Sequence, residues 1–205
     1  AMNGIADMKA YVKAGTYTLT TTTPGSGGPI NGSNNGHIIE GYEVTRGDLG
    51  AAPVIDVGTL STLTVITVPA NSKIINIKID GQGNSSVTGF STAAIHQCRA
   101  LDCTTGFTAC ARNICCAAEG CTVGFTGQLF ADGCEAIGGT TGFACTNSNA
   151  EVVHCVARGC SGVGFNLGSA KASYCTARGC GGDGFDSGDA HYDSCVATHN
   201  GGWGF

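Results

Sequence analysis

Residues 155–165 read CVARGCSGVGF, and residues 175–185 read CTARGCGGDGF. The two stretches are nearly identical, and each ends in a Gly-Phe dipeptide. Related Gly-Phe dipeptides end at Phe90, Phe107, Phe125, Phe143, Phe165, Phe185 and Phe205, with successive spacings of 17, 18, 18, 22, 20 and 20 residues. Cys-x-Ala segments begin at Cys98, Cys116, Cys134, Cys155, Cys175 and Cys195. A recurrence at so constant a period is typical of a solenoid, in which each repeat forms one coil.

The repeat unit favours short strands joined by tight turns. Small apolar residues alternate in Cys-x-Ala, which is the period of a half-buried strand. The chain contains 34 glycines, a content that a helix interior would not tolerate. Leucine-rich repeats have a similar period but need recurrent leucines, and this half has only Leu101, Leu129 and Leu167. We therefore predict an all-β fold, a right-handed single-stranded parallel β-helix of eight to ten coils.

In such a fold equivalent residues of successive coils stack at a spacing of about 4.8 Å. The sequence then predicts four interior columns. They are a Cys column (Cys98, Cys116, Cys134, Cys155, Cys175, Cys195), an Ala column (Ala100, Ala118, Ala136, Ala157, Ala177, Ala197), the Phe column of the seven Gly-Phe dipeptides, and a second Cys column (Cys103, Cys121, Cys160, Cys180) interrupted by Gly139 and capped by Asn200.

All 13 cysteines lie between Cys98 and Cys195 and so belong to the repeats. Three readings stay open at this point. Buried free thiols behave as small apolar side chains that fill a core. Stacking also brings the Cα atoms near disulfide range, although parallel Cβ vectors disfavour the bond. A zinc site is the third reading, and Cys-x4-Cys spacing supports it poorly.

The first half of the chain is less regular. Residues 1–85 contain β-branched runs such as those around Val65 and Ile77, and they predict irregular coils that lead into regular coils of 17–22 residues over 86–205. No composition break separates the halves, so we predict one domain, 1–205. Because the repeat continues to Phe205 without a cap, we expect the chain to be a fragment of a larger protein and its last coil to be able to self-associate end to end.

Composition excludes several function classes. The chain has 10 Lys and Arg against 15 Asp and Glu, a net charge of −5, which argues against nucleic-acid binding. No stretch approaches 18 consecutive apolar residues, so we predict no membrane span.

Two segments carry a resemblance to a known family. Residues 10–17, AYVKAGTY, resemble the V-x-x-G-x-Y opening of right-handed parallel β-helix proteins of the pectate-lyase-like superfamily. Residues 39–42 and 45–48, IEGY and TRGD, are similar to a segment of uncharacterised bacterial and phage β-helix proteins, and the stretch GFNL from Gly164 resembles the coils of that family. The resemblance implies the fold and a range of functions, including polysaccharide lyases, glycoside hydrolases, tailspikes and adhesins.

The outward positions provide the candidate site residues. Rows that follow the Phe, Cys and Ala columns are mostly uncharged, but Arg158 and Arg178 stack and could bind an anion. His154 and Tyr174 each precede a cysteine of the first Cys column. They are predicted to point outward beside Ser194 and could contact a sugar. Cys115 lies in the same row and is predicted to be exposed.

One acidic cluster lies near His191. Asp183, Asp186, Asp189 and Asp193 could hold Ca²⁺, and Asp183, Asp186 and Asp189 could act as hydrolase carboxylates. Turn chemistry, which favours Asp-Gly pairs, is the competing explanation.

The uncharged outward rows favour a non-catalytic module, structural or carbohydrate-contacting, within a larger extracellular or surface protein. The acidic cluster motivates the alternative, the truncated body of a polysaccharide lyase or glycoside hydrolase. We expect a polysaccharide as the partner and no cofactor other than Ca²⁺.

Overall fold

The chain folds into three parallel β-sheets that wind around one core. A computed structural model describes residues 9–20, 36–69, 71–145, 147–186 and 188–205, and the backbone of 30–31. Within these ranges every regular element is a strand, and no helix is present that could cross a membrane. Each coil contributes one strand to each sheet in turn, which is the parallel β-solenoid that the sequence predicts.

The strands, numbered in chain order, are short and evenly distributed. The first sheet comprises β1 Lys9–Lys13, β4 Ile38–Tyr42, β7 Lys73–Ile75, β10 Ala94–His96, β13 Arg112–Ile114, β16 Phe130–Asp132, β19 Glu151–Val153, β22 Lys171–Ser173 and β25 His191–Asp193. The second comprises β2 Thr16–Thr18, β5 Val54–Asp56, β8 Lys78–Asp80, β11 Arg99–Leu101, β14 Ala117–Glu119, β17 Glu135–Ile137, β20 Val156–Arg158, β23 Thr176–Arg178 and β26 Val196–Thr198. The third comprises β3 Ile30–Asn31, β6 Leu63–Thr67, β9 Val87–Ser91, β12 Thr105–Thr108, β15 Val123–Thr126, β18 Thr141–Ala144, β21 Phe165–Asn166 and β24 Phe185–Asp186.

Two nine-stranded sheets and one eight-stranded sheet agree with the expected eight to ten coils. The strand pairings of the described residues are parallel, and equivalent positions of adjacent coils meet in register. Ala100 pairs with Ala118, and the alanine pairing continues without a break to Ala197. The predicted Ala column is therefore confirmed.

Seven phenylalanines form a continuous stack inside the third sheet. Their ring centroids are 4.7–5.0 Å apart from Phe90 to Phe205, and successive ring planes deviate by 2–8°. The rings from Phe90 to Phe185 are at most 2% exposed. This stack is the largest apolar component of the core in the regular coils.

The cysteines are free thiols, and most of them are buried in the core. All 13 are unpaired, and only Cys115 is exposed. Buried thiols of the first Cys column donate to carbonyl oxygens two residues earlier, as Cys155 does to Val153 at 3.2 Å. Asn200 caps the second Cys column as predicted, because its side chain accepts from the Cys180 N–H at 2.9 Å and donates to the Ala177 carbonyl at 3.3 Å.

The corner between the first and second sheets has one residue per coil in the left-handed backbone region. The φ angles are 51° at Cys115, 60° at Gly133, 50° at His154, 54° at Tyr174 and 53° at Ser194. A left-handed residue turns the chain sharply, so its own side chain points outward while the following cysteine enters the core. This explains why the predicted outward row is exposed from Cys115 to Ser194.

One polar pair interrupts the apolar core. The Asn113 side chain donates to Gln128 Oε1, and both residues are fully buried. Gln128 Nε2 also donates to the carbonyls of Phe107 at 3.0 Å and Thr126 at 2.9 Å. Because a buried amide without partners costs free energy, the two side chains depend on each other.

Candidate functional site

An aromatic platform lies at the corner between the first and second sheets. The rings of His154 and Tyr174 stack with centroids 5.4 Å apart and planes 18° from parallel. His154 Nδ1 lies 3.1 Å from Asp132 Oδ1, which orients the imidazole. The Tyr174 residue is 57% exposed, so its ring is accessible to a ligand. The predicted juxtaposition of His154 and Tyr174 is confirmed, whereas Asp132 was not predicted.

Ser194 continues this row on the next coil. Its hydroxyl donates to Asp193 Oδ1 at 3.0 Å. Its left-handed φ places it directly after Tyr174 in the outward row. The row of polar and aromatic side chains therefore spans three successive coils.

The two arginines lie at the opposite edge of the second sheet. Arg158 and Arg178 are paired in register on β20 and β23. Arg158 Nε contacts Glu135 Oε1 at 2.6 Å, whereas Arg178 forms no ion pair with any described residue. A shallow depression there is lined by Ile137, Gly138, Arg158, Gly159, Arg178 and Gly179.

These two edges enclose a narrow uncharged strip. Val156 and Thr176 point outward between the aromatic platform and the arginines. Arg178 follows Tyr174 by four positions. An extended chain of that length spans about 13 Å between the two Cα atoms. We call the surface from His154 and Tyr174 to Arg158 and Arg178 the second-sheet face.

The acidic residues of the C-terminal coils are dispersed. Asp186 lies on β24 of the third sheet and Asp193 on β25 of the first, with Asp189 in the connection between them. Asp183 precedes β24 and accepts the Trp203 N–H at 2.6 Å. No three His, Cys, Asp or Glu side chains of the described residues are grouped so that they could hold a metal ion. The structure thus gives Asp183 and Asp193 local hydrogen-bonding roles.

Asp48 stabilises its own loop. Its carboxylate accepts backbone N–H groups of Glu43, Val44, Thr45 and Gly50 at 2.8–3.2 Å. These bonds favour the ionised form and hold the pKa of Asp48 well below its usual range. The carboxylate of the Arg46-Gly47-Asp48 sequence is therefore engaged in hydrogen bonds to its own loop.

No family model, no curated protein and no solved structure matches the chain. The structure itself shows a parallel β-solenoid.

The reactivity of the thiols provides a direct test of the core. Burial raises the pKa of Cys98, Cys110 and Cys145 to about 12, so these thiols stay protonated and unreactive at neutral pH. Cys115 is exposed, with its sulfur beside Gly133. We expect Ellman's reagent at pH 8 to modify Cys115 rapidly, the half-buried Cys195 more slowly, and the remaining thiols only after unfolding in guanidinium.

A Cys115→Ser variant provides the control for this experiment and should lose the rapid phase alone. Peptide mapping of the labelled protein would identify the reacting thiols. Rapid modification of Cys98 or Cys145 in the native protein would contradict their burial in the core.

The sequence shows the row that follows the Phe column to be mostly uncharged, with Asp186 as its one carboxylate. The structure shows that this row, together with a second one, forms a regular hydroxyl-bearing surface on the third sheet. The recurring Thr-Gly-Phe-Thr pattern, as at 105–108, was the signal that could have revealed it.

Proposed function

We propose that the chain is a non-catalytic β-solenoid module that contacts a carbohydrate through the second-sheet face. The observation that carries the proposal is the exposed stack of His154 and Tyr174. Aromatic rings with one free face and a polar edge are suited to the amphipathic surface of a sugar ring. The module belongs, on this proposal, to a larger extracellular or surface protein of the pectate-lyase-like type that its N-terminal strand resembles.

The neighbouring side chains support an extended ligand. The corner row continues along the solenoid axis with the coil repeat, from His154 through Tyr174 to Ser194. Arg178 lies across the strip with its guanidinium unpaired among the described residues, where it could donate to sugar oxygens. A chain molecule lying along the axis would meet similar contacts at each coil.

The Tyr174→Ala variant tests this proposal. An aromatic contact of this kind contributes about 1 kcal/mol, so we expect binding to weaken roughly five- to tenfold. The measurement is an array of plant, fungal and bacterial polysaccharides, followed by titration of the best ligand. Circular dichroism would establish that the variant is folded.

Tyr17→Ala is the matched control, because Tyr17 is also exposed and lies on β2 of the same sheet, seven coils away. Its binding should equal that of the unaltered protein. Equal binding by Tyr174→Ala would contradict the proposed face, and absence of binding to every polysaccharide would contradict the proposed function. Release of reducing sugar or of unsaturated products would show that the module is catalytic.

A further inference from the structure

The outward surface of the third sheet carries two straight ranks of small hydroxyl-bearing residues. The first rank is Thr64, Thr88, Thr105, Val123 and Thr141, and the second is Thr67, Ser91, Thr108, Thr126 and Ala144. Each member pairs in register with its equivalent on the adjacent strand, from β6 to β18. We call these two ranks the threonine face.

This face is unusually flat. Neighbouring strands of most sheets are rotated by about 20–25°. From Phe90 to Phe143, each phenylalanine ring directly beneath the face is tilted by only 5° relative to the next ring, and the centroids repeat every 4.7–5.0 Å. The ranks above them are therefore straight and periodic. Threonine is β-branched and stiff at χ1, so its hydroxyl and methyl groups repeat with the backbone.

The hydroxyls of the face are free to bind something outside the protein. Within the described chain, none of the threonine or serine hydroxyls in the two ranks hydrogen-bonds to another protein atom. No member of either rank from β6 to β18 is ionisable, and the second rank continues in register through Asn166 on β21 to Asp186 on β24. The second sheet differs, because it carries the ion pairs Arg99–Glu119 and Arg158–Glu135.

The chemistry of the face narrows the choice of partner. Protein interfaces are anchored by Trp, Tyr and Arg, and Ser and Thr rarely contribute strongly. Soluble small molecules bind in concave sites lined by aromatic side chains with a few polar groups. The threonine face offers neither anchors nor concavity. It offers a rigid, neutral lattice of alternating hydroxyl and methyl groups.

A partner that fits such a lattice must itself be periodic and neutral, and must accept and donate hydrogen bonds at each repeat. The water lattice of ice has these properties, because each of its molecules donates and accepts hydrogen bonds at regularly repeated positions. We propose that the threonine face binds the surface of ice. Hydroxyl groups hold water molecules at lattice positions, and the methyl groups between them keep the intervening water from adopting other hydrogen bonds.

The experiment measures thermal hysteresis and ice-crystal shape on a nanolitre osmometer. We expect the protein to shape ice crystals and to lower the freezing point below the melting point. Thr108→Lys introduces a long charged side chain in the middle of the second rank and should abolish most of the hysteresis. Val123→Thr completes the first rank and should increase it.

The control is Thr16→Lys, which places the same substitution at an exposed position of β2 in the second sheet, away from both the threonine face and the second-sheet face. It should leave the hysteresis unchanged. Thermal unfolding followed by circular dichroism establishes that all three variants are folded. This test does not involve the second-sheet face, so it stands or falls independently of carbohydrate binding.

Absence of crystal shaping and hysteresis in the unaltered protein would overturn the proposal. So would equal losses of hysteresis in Thr108→Lys and Thr16→Lys. Pull-down with crystalline cellulose and chitin tests the competing occupant, since a crystalline polysaccharide is also periodic and neutral. Binding there that Thr108→Lys abolishes, without an effect on ice, would assign the face to the polysaccharide and overturn the proposal.

Discussion

Phe125→Ala is expected to lower the free energy of unfolding by about 4 kcal/mol. The Phe125 ring lies in the middle of the stack, 4.7 Å from both Phe107 and Phe143, and is fully buried. Removing it takes away apolar contacts on both faces and leaves a cavity between two rigid coils that cannot collapse without breaking the ladder. The measurement is urea unfolding followed by circular dichroism.

Phe205→Ala is the matched control. Its ring stacks on Phe185 at 4.9 Å but is 60% exposed, so only one face contributes. We expect a loss of at most about 1 kcal/mol. Similar losses for the two variants would show that the column does not act as a continuous stack.

Gly142→Ala is expected to destabilise the solenoid by about 3 kcal/mol, through overpacking rather than a void. A Cβ at Gly142 would lie 2.5 Å from the carbonyl oxygen of Gly164 and 2.9 Å from the Cβ of Ala157. The same carbonyl accepts the Phe143 N–H at 2.9 Å. The added methyl group therefore displaces a backbone atom of the next coil and breaks a ladder hydrogen bond.

Gly159→Ala separates steric overlap from backbone strain. Gly159 has a φ of 64°, but a Cβ there would meet nothing within 4 Å. The left-handed conformation alone should cost about 1 kcal/mol. Urea unfolding of both variants gives the difference, and a Gly142→Ala protein as stable as Gly159→Ala would show that the coils can separate at no cost.

The sequence was sufficient for the repeating part of the fold. Identical residues at a near-constant spacing must stack when coils are parallel, so the Phe and Ala columns followed directly from counting. The same counting predicted that His154 lies next to Tyr174, because each precedes a cysteine of the first Cys column.

Contacts between unlike residues of different coils could not be predicted in this way. Asp132 lies 22 residues from His154 and meets it only because a left-handed corner directs the imidazole back over the preceding coil. The acidic cluster fails to converge for a related reason, since the stretch from Asp183 to Asp193 turns from one sheet to another. Linear proximity in a solenoid does not imply a shared face.

The buried pair of Asn113 and Gln128 has a consequence for how the chain finds its alignment. Because the coils have similar sequences, they could pair one coil out of register, with phenylalanine still stacked on phenylalanine and cysteine on cysteine. Such a shifted stack would separate the two amides, so the Asn113 Nδ2 and Gln128 Oε1 groups would lose their shared hydrogen bond, at a cost of about 1–3 kcal/mol for each group left buried without a partner. The pair thus favours the correct register of the coils over the shifted registers.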